Sequence, residues 1–128
     1  LKENDNGVLE IESTPIQVTF LPEGVEDNLR WHPSGKSIFS ISEGAIVSTC
    51  VEAGKYFGKS VYITPQYKIN KPYALVPSRN GKMIAFNRLV PTYDENGIRL
   101  FSSEGKDFSQ IFLLTYHDEN NDGIPDNQ

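Results

Sequence analysis

An all-β fold of short antiparallel strands is predicted by three features: a strand-former's composition, closely spaced turn signals, and an internal repeat. Ile, Val, Thr and the aromatics supply 39 of the 128 residues, against four Ala and one Met. That balance favours pleated strands over helices. Leu, Ile, Val and Phe together make 35 residues, enough for one modest core rather than a disordered chain.

Turn signals stand at Asp5-Asn6-Gly7, Pro33-Ser34-Gly35, Asn80-Gly81, Asn96-Gly97, Glu104-Gly105 and Asp122-Gly123. Asn-Gly and Asp-Gly supply the positive φ angles of tight hairpins. Between them, runs of β-branched and aromatic residues predict strands near 8–12, 16–20, 28–31, 37–42, 45–51, 60–64, 73–76, 83–89, 98–102 and 110–115. The gaps are too short for parallel crossovers, so the strands pair as antiparallel hairpins. No window carries a helical period; a short helical turn is expected only around Val51–Tyr56.

The third feature is self-similarity. Trp31-His32-Pro33-Ser34-Gly35-Lys36-Ser37-Ile38-Phe39 aligns with Pro77-Ser78-Arg79-Asn80-Gly81-Lys82-Met83-Ile84-Ala85, an offset of 46. Strands ending in Thr19, Thr64 and Thr115 follow a similar spacing. An apolar strand opening after a glycine also recurs, at Gly7, Gly44 and Gly97. A period near 45 residues with four short strands per unit predicts β-propeller-type blades, about two and a half of them over residues 1–116. A single β-sandwich is the alternative. Two and a half blades cannot close a ring. A longer parent chain, favoured here, or a homo-oligomer would complete it.

These segments resemble TolB-type propeller repeats, whose Trp-Ser-Pro-Asp-Gly-Lys-x-Ile-Ala-Phe is matched by Trp31–Phe39 and, in its second half, by Asn80–Phe86. The match covers roughly residues 7–115. It departs at Ser34, Pro77 and Arg79, where the family has Asp, Trp and Pro. The resemblance implies a periplasmic or secreted setting in a bacterial envelope, and a scaffold or binding role. It equally allows a propeller enzyme acting on polysaccharide or peptide with its catalytic residues elsewhere.

The sharpest chemical motif is Asp118-Glu119-Asn120-Asn121-Asp122-Gly123-Ile124-Pro125-Asp126, in the acidic tail 117–128. Oxygen ligands at loop positions 1, 3, 5 and 9 with Gly at 6 suit a hard cation. Asp118, Asn120, Asp122 and Asp126 would bind through side chains and Ile124 through its carbonyl. The motif resembles the calcium loops of thrombospondin type 3 repeats and integrin-type blades, so calcium is the expected cofactor. It lacks a Glu at position 12, and a solvated acidic linker is the plainer reading.

No catalytic set stands out. His32 and His117 read as turn and loop residues, Cys50 as a small buried hydrophobe, and no Gly-x-Ser-x-Gly elbow activates a serine. Gly54–Lys59 lacks the spacing of a phosphate loop. Tyr56, Phe57, Tyr62, Tyr67, Tyr73 and Tyr93 suit protein or sugar contacts as well as packing. The insertion Val90–Gly97 is a candidate ligand-facing loop. The net charge of −5 argues against nucleic acid, and no apolar run is long enough to span a bilayer. The expectation is therefore a non-catalytic module binding protein or carbohydrate, with an adhesion or carbohydrate-binding sandwich as its rival.

Overall fold

Alternating apolar residues between glycine turns leave the backbone one economical solution, the antiparallel hairpin. The computed structural model describes residues 2–3, 9–10 and 14–126. Within them no helix occurs. The strands are β1 (Lys2–Glu3), β2 (Leu9–Glu10), β3 (Glu26–Trp31), β4 (Ser37–Ser42), β5 (Ala45–Cys50), β6 (Ser60–Tyr62), β7 (Tyr73–Pro77), β8 (Met83–Val90), β9 (Thr92–Tyr93), β10 (Arg99–Leu100) and β11 (Phe108–Thr115). All pairings are antiparallel. The first main sheet has the order β3-β4-β5-β6 and the second β11-β8-β7, with β1-β2 and β10-β9 as two-stranded ribbons. Among the described residues no sheet closes on itself.

The 46-residue offset is written into the backbone. In the first sheet His32 N–H donates to Ser37 O at 2.9 Å and Gly35 N–H to His32 O at 2.9 Å. Forty-six residues on, Ser78 N–H donates to Met83 O at 2.8 Å and Gly81 N–H to Ser78 O at 3.0 Å. The side chain bracing each turn is also equivalent: Ser34 Oγ accepts from Lys36 N–H and Asn80 Oδ1 from Lys82 N–H. Both opening strands are bulged, with φ of 105° at Asn28 and 53° at Ala74. With its amide oxygen turned toward β7, Asn28 accepts the Leu75 N–H at 3.3 Å, so the two bulges meet where β3 and β7 lie side by side.

Correspondence fails after β8. Val51 N–H closes the first sheet on Lys36 O at 2.9 Å, and Tyr116 N–H closes the second on Lys82 O at 2.8 Å. β11 is therefore the counterpart of β5, displaced by the inserted β9–β10 hairpin. Thr115 ends a third strand, whereas Thr64 follows the fourth strand β6. Their common Thr is coincidental, because the inserted β9–β10 hairpin places Thr115 on the third strand of its sheet.

Two other expectations differ. Ile16–Phe20 belongs to no strand; an alternating segment becomes a strand only when an edge pairs with it, and none in the described residues does. Val51–Tyr56 forms non-helical turns, because Gly54 and Gly58 take φ of 132° and 84°. Residues 5–8 and 11–12, assigned to the first turn and strand, lie outside the described residues.

The two main sheets pack face to face. Phe39, Ile41, Ile46 and Ile63 on one face of the first meet Leu75, Ile84 and Phe86 on one face of the second. Their mutual alternation makes these opposite faces of equivalent sheets. Phe39 and Ile41 correspond by offset to Ala85 and Asn87, which lie on the far side of β8 from Ile84 and Phe86. Front therefore packs on back. β4 and β5 are almost wholly buried, because residues 18–25 lie against the back of the first sheet.

Tyr116 locks the joint. Its ring stands edge-on to Phe39, centroids 5.3 Å apart, and 4.9 Å from His32. Its hydroxyl is buried without a hydrogen-bond partner, as are those of Ser37 and Ser48. Burial pushes the Tyr116 phenol above its ordinary pKa, partly opposed by the two nearby serines. Tyr116→Phe removes an unsatisfied group and should leave stability within about 1 kcal/mol of wild type, on the stabilising side. Tyr116→Ala empties the joint and should destabilise by about 3 kcal/mol. Urea unfolding of the two variants checks both signs.

Candidate functional site

The acidic motif is built on the residue that locks the joint. β11 ends at Thr115, Tyr116 enters the core, and Asp118–Asp126 folds back toward the first sheet. Asp118 Oδ1 accepts the Asp122 N–H at 3.1 Å and Oδ2 the Gly123 N–H at 2.9 Å. Asp122 Oδ1 accepts the Ile124 N–H at 2.9 Å. Asp126 N–H donates to His117 O at 2.6 Å, while its carboxylate takes the Glu119 N–H. The segment is a closed loop held by its own carboxylates.

Contacts from the first sheet fasten it. Lys36 Nζ donates to Asn121 O at 2.6 Å, and the buried Cys50 thiol lies 3.8 Å from Asp122 O. Gly123 sits at φ +84°, where a Cβ would fall 2.9 Å from Cys50 Sγ and 3.2 Å from Lys36 O. Glycine is required there twice over, by the left-handed backbone and by the close approach.

The electrostatics are those of two carboxyls held together. Burial, reinforced by the neighbouring Asp122 carboxyl, raises the Asp118 pKa against the pull of the Gly123 and Asp122 N–H groups. Asp122 is held below its ordinary pKa, first by the Ile124 N–H and then by hydrogen bonds from Asp118 and Asn120. Asp118, Asn120 and Asp122 thus converge. Asp126 closes the loop through Glu119 instead. No group of three His, Cys, Asp or Glu side chains suited to a metal occurs among the described residues.

The other candidates are dispersed. His32 is no free turn residue: Nε2 lies 3.0 Å from Gly81 O, and Nδ1 accepts the Ser34 N–H at 3.0 Å. This assigns the proton to Nε2. Ser34 Oγ stands 2.7 Å from Nδ1. That Ser–His pair is a turn brace, since Ser78 Oγ and Asn80 Oδ1 make the equivalent bond in the second sheet. His117 is exposed, and Cys50 is buried as expected.

The aromatics do not gather. Tyr62 reaches Glu43, Tyr67 lies 3.7 Å beneath the Arg88 guanidinium, Tyr73 bonds Ser109, and Tyr56 sits near Lys55 and Lys59. The insertion does form a concavity. A groove of about 430 Å³ is lined by Asn70, Leu89, Arg99, Phe101, Lys106 and Asp107. Arg99 pairs with Asp107 at 2.6 Å, and its guanidinium lies 4.8 Å from the Phe101 ring centre. The hydrogen bond to Asp107 raises its pKa further. None of the expected Val90–Gly97 residues lines it; Arg99 to Asp107 reach Asn70 and Leu89 because the hairpin folds back.

The geometry defines an all-β protein of stacked antiparallel sheets with a docked acidic loop and a polar groove. No protein-family model matches the chain, and no curated protein is significantly similar to it.

Gly123→Ala should undock the loop, since left-handed strain of about 1 kcal/mol adds to the clash with Cys50. The expected result is faster labelling of Cys50 by a thiol reagent in the native state, with the far-UV circular dichroism unchanged.

Proposed function

We propose that the chain is a non-catalytic binding or scaffold module, a segment of a TolB-like propeller array in a bacterial envelope or secreted protein. The observation that carries this reading is the stacking of two sequence-equivalent meander sheets, front on back, with their opening strands adjacent. In a sandwich, Greek-key connections carry the chain between its two sheets. Here the first sheet is completed before the second begins, which favours blades over a sandwich.

Binding falls to the inserted hairpin, because it is the part that departs from the repeat and its groove offers a guanidinium, an ammonium and an aromatic face. Such a set suits an acidic peptide or a sugar carrying a carboxylate. An array of peptides and glycans tests it. A retained ligand should lose at least tenfold in affinity with Phe101→Ala or Lys106→Ala at unchanged melting temperature. Peptide and polysaccharide substrates should turn over no faster than in buffer. Turnover that follows the purified chain, or the absence of any ligand, overturns the module reading.

The acidic loop belongs to the same proposal as a calcium site. The oxygen donor set fits a hard cation, and a cation would relieve the Asp118–Asp122 repulsion. Asp118, Asn120, Asp122 and the Ile124 carbonyl would hold it, and Asp126 would join them on releasing the Glu119 N–H.

The signs with pH follow from the two shifts. A raised Asp118 contributes stability at acid pH that is lost as pH rises through its folded value. A lowered Asp122 contributes stability above its ordinary value, lost on acidification. Calcium must displace the Asp118 proton, so affinity should be highest near neutrality and fall as pH drops toward the carboxylate range. At one hundred times its dissociation constant, calcium should add about 2.7 kcal/mol of stability. Calorimetry that detects no binding, or binding that survives Asp118→Asn, removes calcium from the reading.

A further inference from the structure

The stacking leaves two complementary surfaces open on one molecule. The front of the second sheet, equivalent to the front that the first sheet buries, is uncovered: Val76 is 52% exposed, Ile111 76% and Leu113 65%. That sheet also lacks a fourth strand, so β11 runs along its edge. A long apolar edge strand is a template for pairing with another strand.

The matching surface is at the other end. Ile16–Phe20 alternates apolar and polar residues yet belongs to no strand, with Ile16 71% and Phe20 78% exposed. Thr19 precedes Thr64 by 45 residues, so this segment stands to the first sheet as the β6 segment stands to the second. The packing agrees. Val18 lines a cavity of about 150 Å³ against the back of the first sheet, beside Leu29 and Ile38. By the same offset, Val18 is the counterpart of Ile63, which is packed in the core joining front to back. Within the chain, Ile63 N–H donates to Ile46 O at 2.8 Å. The counterpart of β5 in the second sheet is β11, whose residue equivalent to Ile46 is Ile111.

We propose that this chain associates head to tail with a second copy of itself. The Ile16–Phe20 segment of one copy pairs with the edge of β11 in the other as its missing fourth strand. The donor's exposed Phe20, Val25 and Leu29, which lie beside the back of its first sheet, then cover Val76, Ile111 and Leu113. The contact is heterologous, so each copy donates at one end and accepts at the other. The inference rests on the stacked-repeat reading above but commits the neighbouring sheet to a second copy.

Light scattering on the full chain from about 1 to 200 μM covers the range of weak to moderate self-association. The mass should rise with concentration in multiples of 14.4 kDa. Leu113→Glu blocks the accepting face, and Val18→Pro removes the donor N–H. Both positions lie outside the buried core, so circular dichroism should show both variants folded. Each alone should stay monomeric. Mixed, they should form a 1:1 dimer and stop there, because each retains the half the other lost. A wild-type monomer throughout, self-association that survives in either variant, or a mixture that stays monomeric overturns the proposal. A monomer would leave the propeller-segment reading standing, with the neighbouring sheet supplied within a longer polypeptide; the ligand array tests that reading separately.

Discussion

A sheet of three or four short strands has two apolar faces and little else to hold it, so everything in this molecule depends on the joint where one such sheet covers another. Phe39, Ile46, Leu75 and Ile84 are fully buried there. The joint is not a generic oily contact. Tyr116 and His32 place aromatic edges against Phe39, and the His32 ring lies so close to Gly81 that a side chain at that position would collide with it. The repeated turn is thus used in two ways. In the first sheet its histidine projects across the joint; in the second its glycine receives that histidine.

The acidic loop inherits its rigidity from the same joint. It leaves β11 through Tyr116, which is fixed in the core, and returns to Lys36 and Cys50 on the first sheet. A loop tied at both ends presents Asp118, Asn120 and Asp122 together without paying ordering entropy when something binds. The like-charge pair is held by backbone N–H groups, which stabilise the carboxylates but leave their mutual repulsion in place. The inserted hairpin obeys the opposite logic. It stands beside the stack, with Tyr93, Ile98 and Phe101 exposed, so changes to its sequence can alter the groove without disturbing the joint.

Much of the architecture was legible because it rests on local chemistry. Ser37–Ser42 forms a strand over the span its alternation predicts, and Ala45–Cys50 over all but the last residue of its own. The 46-residue offset survives down to Ser34 and Asn80, unlike residues that accept the same backbone N–H. Legibility failed where an element needs a distant partner. Ile16–Phe20 has strand chemistry but no edge to pair with, and Thr115 shares its residue type with Thr64 but a different strand position. His32 looked like a surface turn because its partners, Gly81 and Tyr116, are 49 and 84 positions away in the chain. Lys106 and Asp107 carried no signal of a groove, since only the folded-back hairpin brings them beside Asn70.

The sequence by itself determined the class of secondary structure, the repeat and the oxygen-rich loop, because strand propensity, glycine turns and ligand spacing act within a few residues of each other. Tertiary structure alone decided which faces meet and where the loop docks. It also decided that the insertion displaces a strand and that one apolar face stays open. Those outcomes depend on burial, and burial is a property of neighbours that the local sequence does not name.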